Sequence, residues 1–242
     1  MRDRIYTAAM GEIPAFEFDE EVTRVFPDMI ARSVPGYAAT LSAAGALAAR
    51  FAQPHSRLYE LGCSRGAALL SMARALNPEI PFTLVGVDTS EAMLTACRSD
   101  LEASGHVSHP LELLHRDIRD VEIYDASVVV LNFTLQFIPV SDRLPLLKRV
   151  FNALRPGGVL LLSEKVHLDD PTIDQLCIDL HHNFKKSQGY SELEIARKRD
   201  ALIDVLTPET QSAHRERLRE AGFSACEVWY QAFNFCSWVA LS

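Results

Sequence analysis

The stretch RLYELGCSRGAALLSMARAL, residues 57–76, sets the pattern from which the rest of the chain is interpreted. Its first residues form a short apolar run typical of a buried strand, and a turn with glycines at positions 62 and 66 follows. The residues after the turn have helical periodicity. FTLVGVD (82–88) is a second apolar run, and it ends in an acid. A strand, a helix and a second strand in this order predict a βαβ unit with parallel strands.

The alternation of strands and helices continues to residue 165. Further strand candidates lie at 111–117, 126–133 and 159–165, and further helical patterns lie at 90–103 and 141–154. Residues 170–221 are helical in pattern, in two or three pieces, and the runs 226–231 and 233–241 are two more strand candidates. We therefore predict an α/β fold with a Rossmann-like, seven-stranded, mostly parallel sheet that has helices on both faces. A C-terminal antiparallel hairpin closes the sheet, and a helical insertion precedes the hairpin.

The same pattern predicts the organisation of the chain. Residues 1–36 are expected to form an N-terminal arm, irregular over about its first 30 residues and packed on the body. Residues 37–242 are expected to form one Rossmann-like ligand-binding domain, which begins with the alanine-rich helix at 37–51. Within this domain the helical segment 166–222 is long enough to act as a lid.

Composition excludes several classes of function. The 24 basic and 32 acidic residues give a net charge of −8, which disfavours direct binding of nucleic acid through a broad basic face. The five cysteines form no CxxC pair, and the adjacent pair His181-His182 lacks the HExxH spacing, so no metal site is expected. No signal peptide and no membrane-spanning run is recognised. These features predict a cytoplasmic protein with reduced thiols and no membrane association.

Polar residues follow four of the predicted strands, where open α/β sheets bind ligands. They are Gly62, Cys63 and Ser64 after the first strand, Asp88 after the second, Asp117 and Ile118 after the third, and Asn132 at the end of the fourth. An acid after the second strand can accept both ribose hydroxyls of an adenosine group. The GxGxxG fingerprint of NAD-binding proteins is absent, which disfavours an NAD-dependent oxidoreductase.

Each of these residues also has an ordinary structural interpretation. The glycine turn can be a tight connection, Asp88 can be a helix cap, and Cys63 has no paired base that would make it a nucleophile. The run Arg197-Lys198-Arg199 has the spacing of a solvated helix face. The aromatics Trp229, Phe235 and Trp238 are interpreted as core or dimer-contact residues. The four polar strand ends in sequence order nevertheless favour a ligand site.

ELGCSRG (60–66), VGVD (85–88), HRDIRD (115–120) and VLNFTLQF (130–137) together resemble the class I S-adenosylmethionine (SAM)-dependent methyltransferase superfamily. Five stretches resemble the carboxy-S-adenosylmethionine synthase family within it: FDEEVTRVFPDMIARSVPGY (18–37), VVLNFTLQFI (129–138), LRPGGVLLLSEK (154–165), GYSELEIARKR (189–199) and FNFCSWVAL (233–241). The resemblance extends from about residue 18 to the C-terminus. Ser64 stands where the superfamily usually has a second glycine, and Thr89 where the family commonly has Asn.

The resemblance implies which residues contact the nucleotide ligand: Tyr37, Gly62, Cys63, Ser64, Asp88, Thr89, Asp117, Ile118, Asn132 and Arg199. It implies that the ligand is SAM or carboxy-SAM, with Arg199 recognising the added carboxylate and no residue required as general base. Members of the family convert SAM and prephenate to carboxy-SAM and phenylpyruvate, for later modification of wobble uridine in tRNA by another enzyme. A homodimer, with the helical segment near its interface, is also implied. An ordinary small-molecule methyltransferase and a SAM-binding scaffold remain alternatives.

Overall fold

The computed structural model describes residues 1–7 and 16–242. Its strands are β1 (Arg57–Leu61), β2 (Thr83–Asp88), β3 (Leu111–His115), β4 (Ala126–Asn132), β5 (Leu154–His167), β6 (Glu209–Thr210), β7 (Ala225–Ala232) and β8 (Phe235–Leu241). The order across the sheet is β3-β2-β1-β4-β5-β8-β7, and β6 pairs with the end of β5. Strands β1 to β5 pair in parallel, whereas β8 is antiparallel to both β5 and β7. The predicted fold class is confirmed.

Helices cover both faces of this sheet. They are α1 (Glu20–Ser33), α2 (Tyr37–Phe51), α3 (Ala67–Ala75), α4 (Glu91–Ser104), α5 (Val140–Ala153), α6 (Pro171–Ser187), α7 (Glu192–Ala201) and α8 (Gln211–Ala221). Alternate residues of β4 enter opposite clusters: Val129 packs with α5 and α8, and Val130 packs with α2, α3 and α4. Successive side chains of a strand point to opposite faces, so a strand covered on both faces must be apolar throughout. This explains the uninterrupted apolar runs in the sequence.

The reversal of strand order lies between β1 and β4, because β2 and β3 extend to one side of β1 and β5 to the other. Loops that leave neighbouring strands in opposite directions open a crevice at their carboxyl ends. The polar residues singled out in the sequence follow these strands. The topology therefore places them at the edge where ligands bind in open α/β sheets.

The N-terminal arm departs from its predicted irregular structure. Residues 20–33 form α1. Asp19 is the N-cap of this helix, and its side chain accepts a hydrogen bond from the backbone N–H of Val22. Val22, Val25 and Met29 are buried at helical spacing and pack with Phe16. Asp19 is a favourable N-cap and the apolar spacing fits a helix, so the prediction of an irregular arm was wrong for this part. Residues 8–15 lie outside the described part of the chain.

The helical segment contains α6, α7 and α8, as its pattern indicated, with one difference. Within the run 170–221, which is helical in pattern, α7 ends at Ala201, and the pair Glu209–Thr210 forms β6 against Val166 and His167. A two-residue strand has no periodicity that a sequence pattern could reveal. Within residues 1–7 and 16–242, no helix combines the length and the apolar character that are needed to cross a bilayer.

The arm and the helical segment are joined by polar contacts. Tyr190 donates a hydrogen bond to Oδ2 of the buried Asp3 at 2.5 Å, and Nζ of Lys198 donates to Oγ of Ser33 at 3.0 Å. The guanidinium of Arg32 lies 3.9 Å from the centre of the Tyr190 ring. Since these groups are largely buried, their contacts hold α7 against the end of α1.

Candidate functional site

The turn after β1 is shaped by residues with positive φ. Gly62 has φ of +79°, and a Cβ atom there would lie 2.4 Å from the side chain of Thr134. Glycine is therefore required both by the backbone conformation and by the close approach of the segment after β4. Ser64, which replaces the superfamily's usual glycine, also adopts a positive φ of +45°.

Asp88 connects this turn to the end of β2. Its Oδ2 accepts the backbone N–H of Ser64 at 2.8 Å, and its Oδ1 accepts the backbone N–H of Ser90 at 2.9 Å. Burial raises the pKa of Asp88, although these donors and the nearby charge of His115 oppose the shift. Each carboxylate oxygen has a second lone pair. Asp88 can therefore brace the turn and still accept hydroxyl groups from a ligand.

The end of β3 lies beside that of β2. Asp88 and His115 are Cα partners in the sheet, and Nε2 of His115 lies 2.9 Å from the carbonyl oxygen of Thr89. Asp117 forms an ion pair with Arg119 at 2.7 Å, and this pairing lowers the pKa of Asp117. The side chain of Ile118 is buried in the hydrophobic core. Asp117 and Ile118 are thus at the predicted edge, with the carboxylate partly engaged by arginine.

The other side of the crevice is built after β4. Oδ1 of Asn132 is buried and has no hydrogen-bond partner among the described residues. Phe133 follows with a positive φ of +61°, and its ring lies 6.5 Å from the ring of Tyr37 and 5.9 Å from that of Phe235. A buried acceptor without a partner is costly. Oδ1 of Asn132 is therefore an acceptor that is available at this edge.

Tyr37 lies at the start of α2, and burial together with the nearby carboxyl of Glu60 raises the pKa of its hydroxyl. Its ring contact with Phe133 places it against the segment that follows Asn132. Tyr37 is thus at the same edge as the residues after β1 and β4.

Two buried carboxyl groups lie under the site, and their role was not predicted from the sequence. Glu60 accepts the backbone N–H of Leu69 at 2.8 Å, and Glu164 accepts those of Leu135 and Gln136 at 2.9 and 2.8 Å. Burial raises the pKa of each to about 8. They fix the start of α3 and the short 3-10 helix Leu135–Phe137. An acid inside an apolar strand, as in YELG and LSEK, was the signal for both.

Cys63 has the environment of a structural thiol. It is buried, and its contact with the thiol of Cys97, together with burial, raises its pKa well above the ordinary value. The thiolate is the nucleophilic form of cysteine. Cys63 therefore lacks the environment of a nucleophilic cysteine.

Arg199, another predicted site residue, lies in the last turn of α7. Its side chain is 59% exposed, and Nε and Nη2 donate to Oδ1 of Asp200 at 3.1 and 3.0 Å. It nevertheless lies near α6, since its charge contributes to lowering the pKa of His182 and of Lys185. In the single chain, its guanidinium is thus directed to solvent and to its neighbour in sequence.

His181 and His182 lie side by side in α6. His181 is buried, its Nε2 lies 2.8 Å from the carbonyl oxygen of Ser33, and burial lowers its pKa to about 3. The rings of His181 and His182 are 6.3 Å apart. In the part of the chain that the structure describes, no group of three or more His, Cys, Asp or Glu residues is arranged to hold a metal ion.

Comparisons with known proteins identify the fold and the family of this chain. Residues 58–158 match the model of a family described as a methyltransferase domain. In fold, the chain is similar to human N-acetylserotonin methyltransferase solved in complex with SAM, with a TM-score of 0.59. That alignment has 15% identity and covers 92% of this chain and 55% of the human protein. At this identity the likeness shows the fold alone.

Sequence relatives are much closer. The carboxy-S-adenosyl-L-methionine synthase of Aliivibrio salmonicida is 51% identical over 239 residues, which are 99% of this chain and 98% of that protein. The enzyme of the same name from Geobacter sp. strain M21 is 50% identical over 238 residues, covering 98% of this chain and 97% of its own. Identity at this level over the full length settles the family. The chain belongs to the carboxy-S-adenosyl-L-methionine synthase family.

Proposed function

We propose that this protein is a transferase that converts SAM and prephenate to carboxy-SAM and phenylpyruvate. The observation that carries the proposal is the 51% identity, over 99% of the chain, to a protein named carboxy-S-adenosyl-L-methionine synthase. The crevice at the strand ends, with Asp88 beside the turn after β1, supports binding of the nucleotide part of SAM. Carboxy-SAM would then serve another enzyme as the donor for modification of wobble uridine in tRNA.

The proposed nucleotide contacts follow the strand ends. Asp88 accepts the ribose hydroxyls, and Asp117 and Ile118 flank the adenine. The backbone after β1 and the side chain of Asn132 contact the rest of the ligand. The full proposed set is Tyr37, Gly62, Cys63, Ser64, Asp88, Thr89, Asp117, Ile118, Asn132 and Arg199. The unpaired Oδ1 of Asn132 and the free lone pairs of Asp88 support this assignment.

The proposed reaction balances without a catalytic base from the protein. The bond from the ring carbon of prephenate to its carboxylate breaks, and the electron pair enters the ring as hydroxide leaves. This produces carbon dioxide and the aromatic ring of phenylpyruvate. The hydroxide takes a proton from the sulfonium methyl group to give water, and the resulting carbanion attacks carbon dioxide. The protein's part is to enclose the reactants and place its charges.

Arg199 is proposed to recognise the new carboxylate, and this requires its guanidinium to leave Asp200. A second copy of the chain is the proposed means of enclosing it, because α6 presents an apolar stripe beside it. Ile173, Leu176 and Leu180 recur at helical spacing on this stripe, with exposed fractions between 38% and 50%. We therefore propose a homodimer that buries this stripe of α6.

The dimer proposal is tested by Leu176→Glu. A charge in the centre of the stripe should convert a dimer into a monomer in sedimentation velocity, while Arg98→Glu on α4 should leave it unchanged. A wild-type protein that is monomeric at micromolar concentration would contradict the proposal. So would a dimer that Leu176→Glu does not weaken.

The helical segment 166–222 is proposed to cover the site as a lid on the domain 37–242, with residues 1–36 as the arm that secures it. The hydrogen bonds of Ser33 and Asp3 to this segment support that role. The protein is proposed to act in the cytoplasm without direct contact with nucleic acid or membrane. Its net charge of −8 supports the proposed absence of direct contact with nucleic acid.

The reaction is tested with prephenate labelled in its ring carboxylate. We expect the label in carboxy-SAM, with phenylpyruvate formed in equal amount, when both are measured by mass spectrometry. Label entering only from dissolved bicarbonate would refute the carboxylate donor. Formation of S-adenosylhomocysteine without prephenate would instead support an ordinary methyltransferase. Binding of SAM without any product would support a scaffold.

A further inference from the structure

Two lysines lie beside the aromatic side chains at the β5 side of the crevice. Lys165, near the end of β5, is the Cα partner of Phe235 in β8. The ring of His181 packs edge-on against Phe235 at 4.8 Å. Lys185 follows His181 by one helical turn on α6, so both lie on the same face of that helix. Phe235 thus has one lysine opposite it in the neighbouring strand β5, and another lysine on α6, the helix that packs against its ring.

These two cations are poorly neutralised. Lys185 is only 7% exposed, and Lys165 is partly buried. Neither ammonium group forms an ion pair or a hydrogen bond with another residue of 1–7 or 16–242. Burial lowers the pKa of Lys165, and burial with the charges of Lys165 and Arg199 lowers that of Lys185 to about 8. The charge of Asp174 opposes the lowering of the Lys165 pKa, but Oδ1 of Asp174 already accepts the N–H of Leu168 at 2.9 Å.

The surroundings of the lysines are apolar and adjoin the proposed SAM site. The rings of Phe235 and Phe133 are 5.9 Å apart in an edge-to-face arrangement, and Phe133 directly follows Asn132. Asn132 is the Cα partner of Ser163, two residues before Lys165. In the sheet, β1 and β4 therefore lie between Lys165 and Asp88. A ligand held there would be next to the part of SAM that lies beyond the ribose.

We propose that Lys165 and Lys185 bind the two carboxylates of prephenate, with its ring against Phe133 and Phe235. This inference rests on the proposed function, which supplies the identity of the anion. Prephenate is a six-membered carbon ring with one carboxylate on the ring and another on its side chain, so it matches two cations beside an apolar surface. A buried ammonium without a partner is costly to the fold, and an anionic ligand would offset this cost when bound.

A charge argument favours the same assignment. Two ammonium groups near a sulfonium repel it, and SAM brings one carboxylate to oppose this repulsion where prephenate brings two. A dianion between them reverses this repulsion and brings its carboxylate towards the sulfonium methyl group. The lysines are thus expected to act on prephenate binding and not on SAM binding.

The test uses Lys165→Met and Lys185→Met, which remove the charge and keep an unbranched side chain. Prephenate binding is measured by calorimetry on the complex with S-adenosylhomocysteine, which lacks the methyl group and cannot react. We expect each variant to bind prephenate at least about tenfold more weakly. SAM affinity should be unchanged or higher, and the melting temperature should not fall. Lys165→Arg and Lys185→Arg should recover part of the prephenate affinity.

Lys186→Met is the matched control, because Lys186 lies next to Lys185 but is exposed and paired with Glu192 at 2.6 Å. It should bind prephenate as the wild-type protein does. Wild-type affinity for prephenate in both Met variants would overturn the inference, as would a parallel loss of SAM affinity. Absence of prephenate binding to the wild-type complex would overturn it as well.

The inference and the proposed function can fail separately. A wild-type protein that makes carboxy-SAM, with an unchanged KM for prephenate in both Met variants, would leave the function standing and refute the lysine site. A wild-type complex that binds prephenate through the two lysines but makes no carboxy-SAM would do the reverse.

Discussion

The backbone N–H of Ser64 donates a 2.8 Å hydrogen bond to Oδ2 of Asp88, which joins the turn after β1 to the end of β2. The serine holds a positive φ of +45° in this position. Asp88 thereby fixes the conformation of the residue that replaces a glycine. The residue proposed to accept the ribose hydroxyls therefore also shapes the backbone around the rest of the ligand.

Asp88→Ala should weaken the binding of SAM and of carboxy-SAM by similar factors, because the ribose is common to both. Loss of two hydrogen bonds to a carboxylate is expected to cost about 2–4 kcal/mol. Asp88→Asn should retain part of the affinity, since its amide oxygen can still accept from Ser64. Titration calorimetry with both ligands measures the effect, and Glu102→Ala on the exposed side of α4 is the control of equal charge. Unchanged affinity for both ligands would place the adenosine elsewhere.

Arg199→Ala should lower the affinity for carboxy-SAM more than that for SAM, because the two ligands differ by the carboxylate that a guanidinium can hold bidentately. The expected selective loss is about 1.5–3 kcal/mol. Arg199→Lys should recover only part of it. Asp200→Asn should preserve the discrimination, since it removes the negative charge that now pairs with the arginine.

Parallel titrations with both ligands decide the question for Arg199. Lys186→Ala removes one positive charge from the same helical segment and should affect neither ligand. Equal losses of affinity for SAM and carboxy-SAM, or no loss, would remove Arg199 from the site.

Gly62→Ala should destabilise the protein more than Gly157→Ala does. Both glycines have positive φ, +79° and +76°, so both substitutions carry the strain of a left-handed backbone, about 1–2 kcal/mol. Only at Gly62 would the new Cβ atom meet another side chain, that of Thr134, whereas nothing lies within 4 Å at Gly157. Urea unfolding measures the difference. Thr134→Ala, combined with Gly62→Ala, should recover part of the loss, and equal effects at both glycines would contradict the close approach.

Glu60→Gln should change how stability depends on pH. The folded-state pKa of Glu60, about 8, is above its ordinary value of 4.5, so the folded protein binds the proton more tightly than the unfolded chain. This contribution to stability is fully present below pH 4.5 and is lost as pH rises through about 8. Between pH 5 and 8.5, the free energy of unfolding of the wild-type protein should therefore fall by about 2–4 kcal/mol more than that of the variant.

Urea unfolding at the two pH values gives this comparison. Glu164 contributes a similar slope to both proteins, so only the difference between them reports on Glu60. Glu102→Gln, at an exposed position, should behave as wild type. A slope that Glu60→Gln leaves unchanged would mean that the carboxyl is ionised in the fold at neutral pH.

The sequence predicts the sheet and its binding edge because the central strands are mostly apolar runs and polar residues lie at or just after their ends. The order Gly62, Asp88, Asp117, Asn132 along the chain becomes proximity in space through parallel pairing alone. Helix α1 could not be predicted in the same way, because the aromatic and acidic residues around Asp19 were interpreted as an irregular arm. Its helical content follows from an N-cap and from contacts with residues distant in sequence, such as Ala201.

The roles of the buried charged residues could not be predicted from the sequence pattern either. Glu60 and Glu164 interrupt apolar strands, but only the packed structure shows which backbone donors they satisfy. Lys165 ends the predicted strand 159–165 as any exposed lysine would, and its position becomes informative only when Phe235 and α6 are placed beside it. Arg199 is the reverse case. The resemblance implies a ligand contact for it, whereas in the single chain its side chain is largely exposed to solvent.

Strand β8 has a consequence for the synthesis of this protein on the ribosome. It follows β7 along the chain and yet lies between β7 and β5 in the sheet. Until residues 235–241 have emerged, the hydrogen-bonding edge of β5 lacks its neighbour, although the segments that build the nucleotide side of the crevice are already available. An open strand edge invites pairing with another nascent chain. Codon substitutions that delay elongation just before residue 235 should therefore lower the soluble yield without altering the purified product.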